Sequence, residues 1–181
     1  MAFDWEKGDP GDHGLDPDGL ARMEEDLVRR GTKALLVARH DRVVWEYYAE
    51  SHGPDVKHHT ASLAKALVGG TSLMFAMADG LIDPDDPASR FVPEWRDDPT
   101  RAEITVRHLA THSSGVQDAE IYNAAHEDLP GWMGAFWRKE PDPFTVSRDE
   151  APTIFRPGTD YHYSNPGMAM LAYTVTARLK G

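Results

Sequence analysis

The sequence predicts an α+β (mixed α/β) fold. A β-branched and aromatic hairpin pattern at 33–49 is set among helical patterns at 17–30, 62–79 and 166–179. Forty per cent of the 181 residues are hydrophobic, enough to build a core for one domain or part of one. No internal repeat or low-complexity tract interrupts the pattern.

Each element has its own signal. Residues 1–15 are rich in Gly, Asp and Pro and read as an irregular arm, with the folded domain expected over 16–181. Asp16-Pro17 reads as an N-cap followed by proline at the first helical position. Leu20, Met23, Leu27 and Val28 form an apolar stripe and Gly31 is a stop, so a helix is expected over 17–30. The runs from Lys33 to Ala38 and from Val43 to Ala49 flank the polar His40-Asp41-Arg42 as two strands of a hairpin. Residues 50–58 are a loop.

A central helix is expected over 62–79, closed by Gly80. It is apolar around its whole circumference, which predicts burial on all sides. Gly69-Gly70 in its middle lowers helix propensity and suggests a neighbouring backbone passing close. Phe91 to Trp95 forms a small apolar anchor, and 104–115 reads as a short capped helix running into a loop. In 116–160, short helices are expected near 119–127 and 131–138, within a lid or wall over a site. Pro166 opens a last helix with Met168, Leu171, Ala172, Val175 and Leu179 on one face.

Composition narrows the function. A net charge of −11 argues against nucleic acid and anionic membranes as partners, because both need a basic footprint. The chain has no cysteine, which excludes disulfides, thiolate metal sites and thiol catalysis. The start Met1-Ala-Phe-Asp-Trp-Glu-Lys lacks a basic region followed by an apolar run, and no stretch is long and apolar enough to span a bilayer. A cytoplasmic location is the expectation.

Two constellations carry chemistry. Ser62 and Lys65 stand three apart where a polar segment turns apolar, so one helical face brings Ser62 Oγ and Lys65 Nζ together. A serine hydroxyl is a weak nucleophile that needs a base, and a desolvated lysine can be one. The residues from Ala66 to Ala78 are apolar or small and are expected to supply that burial. With eight Ser and six Lys in the chain, chance yields about 0.3 such pairs, so the pair alone is a weak signal. The second constellation is Tyr163-Ser164-Asn165, for which chance yields about 0.07 Tyr-x-Asn matches. Alternate residues of an extended segment face one side, so the Tyr163 hydroxyl and the Asn165 amide are expected to share a pocket. Phenolate formation beside a cationic lysine lets tyrosine exchange protons.

The two motifs in this order resemble the serine β-lactamase and penicillin-binding-protein superfamily. The resemblance is closest to its class C-like branch, which includes family VIII esterases and DD-peptidase-like hydrolases. Gly80-Leu81-Ile82-Asp83-Pro84-Asp85-Asp86-Pro87 is similar to the loop after the family's nucleophile helix. The segments 106–116 and 155–167 are similar to its "LLTHTSGL" and "FxPGxxxxYSNxG" wording. The resemblance implies a β-lactamase-like/transpeptidase-like fold and an acyl-enzyme mechanism that needs no cofactor or metal. It implies Ser62 as nucleophile and backbone oxyanion donor, and Lys65 as base or electrostatic partner. It implies Tyr163 as general base and acid, and Asn165 as a contact to substrate and to Lys65. Small esters, amides, β-lactams or D-amino-acid peptides are the implied substrates.

One departure stands against this. Family members carry a third motif, Lys-Thr-Gly or His-x-Gly-like, on a strand well after the tyrosine. That motif and the three C-terminal strands that complete a five-stranded sheet are missing from this sequence. The expectation is an incomplete, N-terminal part of a hydrolase, with a complementary C-terminal segment as a possible partner. The rival reading is a catalytically incomplete fragment, or a non-enzymatic binding remnant of the same fold. A metal hydrolase is a further rival, because His108 and His112 have a zinc-ligand spacing. Leu109 stands where the metalloprotease pattern needs glutamate, and the adjacent His58 and His59 diverge, so structural or surface roles are expected for these histidines.

Overall fold

The computed structural model describes residues 5–180. The chain divides after His59 into two compact units.

In the first unit, the Asp16 carboxylate accepts the Asp18 N–H and Pro17 sits in the first turn of helix α1, Pro17–Arg29. Gly31, at φ 71°, ends it by donating to the Val28 carbonyl. Strands β1, Ala34–Arg39, and β2, Arg42–Tyr48, pair antiparallel with Ala34 opposite Tyr48 and a bulge at Val37/Ala38. His40 and Asp41 both have positive φ, the conformation that a two-residue hairpin turn demands. Residues 6–8 of the arm lie along β2: the Val43 N–H donates to the Glu6 carbonyl, and the Val43 carbonyl accepts the Gly8 N–H. Trp45 Nε1 donates to Glu24 Oε2 at 2.7 Å and ties α1 to the hairpin.

The second unit is mostly helical. A π-helical segment, Lys65–Gly70, leads into α2, Thr71–Ala78. The short α3, Val106–Ala110, follows a capping box in which the Thr105 side chain takes the His108 N–H and His108 Nδ1 takes the Thr105 N–H. Then come α4, Gly131–Arg138, α5, Pro143–Asp149, and α6, Asn165–Lys180. Ile104, Leu109, Met170, Val92 and Trp95 form the centre of a core that α6 closes. Trp95 Nε1 donates to the Arg148 carbonyl at 3.0 Å, and Arg101 donates to the carbonyls of Arg148 and Ala151. These bonds satisfy polar groups at the edge of the core.

Four sequence expectations change. First, α2 and the segment before it are not buried on all sides. Leu67 is 58 %, Val68 66 % and Phe75 66 % exposed, because the stretch packs on one side only. Second, the neighbour of Gly69 is a side chain rather than a backbone: a Cβ there would lie 3.9 Å from the Met168 methyl. Third, 119–127 forms no α-helix, and only a three-residue 3-10 turn, His126–Asp128, touches its end. Asp118 and Glu120 are drawn to Asn165, and Asn123 takes a left-handed φ of 65°. Fourth, α5 forms where no helix was expected, capped by the Asp142 carboxylate on the N–H groups of Phe144 and Thr145. On α6 the buried face holds Met170, Leu171, Thr174 and Val175, while Ala172 and Leu179 are exposed.

Candidate active site

The turn that presents Ser62 is tight. The N–H groups of Leu63, Ala64 and Lys65 each bond the carbonyl three residues back. Ala61, just before the serine, has φ 46°. Left-handed backbone at a residue bearing a Cβ costs about 1 kcal/mol, and such strain clusters at functional positions. Lys65 Nζ donates to Ser62 Oγ at 2.9 Å, as the spacing predicts. Ser62 is exposed and Lys65 half-buried, so the desolvation expected from 66–78 is partial.

Tyr163 arrives from 101 residues further along the chain, and its hydroxyl donates to Ser62 Oγ at 2.9 Å. Lys65 Nζ also lies 5.1 Å from the centre of the Tyr163 ring, a cation–π distance. The serine oxygen therefore meets both groups that are able to take its proton in their deprotonated forms. Ser62, Lys65, His112 and Tyr163 line a cavity of about 310 Å³ whose other walls include Leu73, Met168 and Leu171.

The segment that carries Tyr163 is fixed from both sides. Gly158 N–H donates to the Ser113 carbonyl at 2.8 Å. A Cβ at Gly158 would lie 2.9 Å from His108 Nε2, so only glycine fits this turn unless His108 moves. His162 N–H donates to the His112 carbonyl at 2.9 Å, and Ser164 N–H donates to His112 Nδ1 at 3.1 Å. The His112 ring stacks on Tyr163 with centroids 4.5 Å apart. Burial pushes the His112 imidazole below its ordinary pKa and the Lys65 ammonium pushes the same way, while Asp118 opposes.

Asn165 does not share the cavity with Tyr163. It is the first residue of α6, so the extended alternation ends before it. Its backbone N–H donates to Asp118 Oδ1 at 2.7 Å, and its Nδ2 reaches Asp118 Oδ1 at 3.1 Å and Glu120 Oε1 at 3.2 Å. Asp118 thereby places a buried carboxylate at the start of α6, where helix N–H groups favour negative charge. The zinc-like spacing of His108 and His112 does not lie on one helical face, because α3 ends at Ala110 and His112 has φ 57°. Among the described residues, no group of three or more His, Asp or Glu is placed to hold a metal ion, and no helix is long and apolar enough to cross a membrane.

Sequence reasoning missed three participants. Ala61 carries the strain, which no residue type there announces. His112 was weighed only as a metal ligand. Asp118 stands just before a stretch read as helix, and its role depends on a contact with Asn165 that local pattern does not encode.

A family model described as Beta-lactamase matches residues 20–181. The chain is 29% identical over 129 residues to the 6-aminohexanoate-dimer hydrolase of Paenarthrobacter ureafaciens, covering 68% of this chain and 32% of that protein. Its fold superposes on a D-stereospecific amidohydrolase from Streptomyces sp. with TM-score 0.62 and 26% identity, over 82% of this chain and 45% of the other. It superposes on the D-amino acid amidase of Ochrobactrum anthropi with TM-score 0.64 and 23% identity, over 90% and 45%. The chain thus spans about a third of that curated relative and under half of these two solved chains.

Proposed function

The chain belongs to the beta-lactamase family, and from that premise we propose that it supplies the nucleophile half of a serine hydrolase working through an acyl-enzyme. The observation that carries this reading is Ser62 Oγ held at 2.9 Å from both Lys65 Nζ and the Tyr163 hydroxyl. In this scheme Ser62 attacks the carbonyl carbon of an ester or amide. Its proton passes to Lys65 or Tyr163, and Tyr163 returns a proton to the leaving group. Water then attacks the Ser62 ester in the same way. The Ser62 backbone N–H serves as one oxyanion donor. Asn165 lies outside the Ser62 cavity with its amide nitrogen engaged by Asp118 and Glu120, so the substrate contact implied by the family resemblance is left out of this scheme.

The proposed substrates are small amides or esters, with β-lactams and D-amino-acid peptides among them. Amides come first, since the names of the similar 6-aminohexanoate-dimer hydrolase and D-amino acid amidase point that way. A second oxyanion donor and the far wall of the cleft are assigned to a complementary C-terminal segment. The exposed apolar side chains of Leu67, Val68 and Phe75 favour such a partner. Loss of one oxyanion donor costs about 10²–10³ in rate, so the 181-residue chain alone is expected to be slow.

The test is intact mass after incubation with a fluorophosphonate, on the parent and on Ser62→Ala. One adduct on the parent and none on the variant supports the assignment, with Lys65→Met and Tyr163→Phe slowing labelling by about 10²-fold or more. An adduct that persists in Ser62→Ala removes the nucleophile. A folded parent that takes no label favours the rival reading of a catalytically incomplete remnant.

A further inference from the structure

We propose that His112 is the positioning residue for Tyr163, and that it holds the tyrosine against Ser62 only while its imidazole is neutral. The proposal rests on the reading of Ser62 and Tyr163 given above. His112 grips the residues on either side of Tyr163: its carbonyl takes the His162 N–H at 2.9 Å and its Nδ1 takes the Ser164 N–H at 3.1 Å. Its ring lies against the Tyr163 ring, 4.5 Å between centroids and 28° from parallel. Backbone and side chain of the tyrosine are therefore fixed by one residue, itself set at φ 57° beyond the end of α3.

The Ser164 bond fixes the protonation state that this grip requires. Nδ1 accepts a hydrogen there, so it carries none, and the ring proton resides on Nε2. A second proton would turn Nδ1 into a donor facing another donor, and the bond to Ser164 would break. The titratable groups facing the ring are Lys65 from the π-helical segment, Asp118 from the loop before α4, and Tyr161 and Tyr163 from the segment before α6. Burial and the Lys65 charge favour the neutral ring and outweigh Asp118. With the imidazole below its ordinary value, the grip is complete above about pH 6.5 and is lost as the pH falls through the lowered value.

The measurement is an NMR titration of the ¹⁵N-labelled chain from about pH 8 to about pH 5, following the Ser164 amide together with the His112 ring signals. The expected result is a Ser164 amide shift that follows the His112 inflection. A Ser164 amide indifferent to that inflection overturns the proposal, and this arm needs no catalytic activity. Two variants add a kinetic arm. His112→Asn keeps an acceptor, suits the left-handed backbone and cannot take the proton. His112→Phe keeps a ring and no acceptor. Fluorophosphonate labelling of the parent is expected to fall at least about ten-fold across the inflection. In His112→Asn the inflection disappears, and labelling exceeds that of His112→Phe at every pH. An acid inflection that survives in His112→Asn, or His112→Phe labelling as fast as His112→Asn, overturns the proposal. If the parent takes no label at any pH, the nucleophile reading fails while the Ser164 amide still decides the role of His112.

Discussion

The apolar side chains of two stretches of the second unit meet opposite environments. From Val92 to Leu109 the large side chains vanish from the surface: Val92, Ile104 and Leu109 are wholly covered and Trp95 is 1 % exposed. From Leu63 to Met77 a more apolar stretch leaves Leu63, Leu67, Val68, Met74 and Phe75 each more than half exposed. The two motifs of the site divide along this line. Tyr163 precedes the helix that closes the core, whereas Ser62 and Lys65 ride on the sparsely packed stretch. The acceptor side of the site is thus set by tertiary packing, and the nucleophile side by local turn geometry and two side-chain bonds.

Substitutions break or sharpen this contrast. Trp95→Ala is expected to cost about 3–5 kcal/mol in urea unfolding, because it empties a filled core and leaves the Arg148 carbonyl to Arg101 alone. A cost under about 1 kcal/mol would make the two stretches alike. Next comes Asp118→Ala, which strips the carboxylate from the start of α6 and from the Asn165 amide. A cost of about 2 kcal/mol is expected, with faster hydrogen exchange at the Asn165 amide as the local sign. Asp142→Ala removes the cap of α5 at about 1 kcal/mol. The bonds from Thr145 hold the Asp142 carboxyl below its ordinary 3.8, so this contribution is present above that value and fades as the pH falls through the lowered one. Thermal melts of parent and variant should therefore converge in acid. Leu67→Ala should change stability by no more than about 0.5 kcal/mol, and a loss like that of a core leucine would mean the stretch is covered in solution.

The sequence was legible where signals are local. Asp16-Pro17 opens α1, His40-Asp41 turns the hairpin, and the spacing of Ser62 and Lys65 brings their tips together. The α+β class and the family resemblance were readable on the same grounds, and the family match covers 20–181. Asp142-Pro143 carries the same capping signal as Asp16-Pro17, yet the seven-residue α5 is too short to show a clear period. The failed helix at 119–127 and the displaced role of Asn165 share one cause. Both depend on carboxylates at 118 and 120 meeting a residue 45–47 positions away. The exposure of Leu67 and Phe75 was hidden for the opposite reason: an all-round apolar pattern states that a surface needs cover and is silent on what covers it.

The wide turn at Lys65–Gly70 has a consequence for phase. Each residue of an α-helix advances its side chain by about 100° around the axis, whereas a wide turn takes in residues while gaining less rotation. The face that carries Lys65 is therefore offset from the face on which α2 buries Ala76. The segment works as a one-residue shim, letting a helix whose seating is fixed by Leu73 and Ala76 aim its other end independently. Deleting one residue between Ala66 and Gly70 would remove the shim and turn Ser62 and Lys65 away from Tyr163, with charge and buried core unchanged.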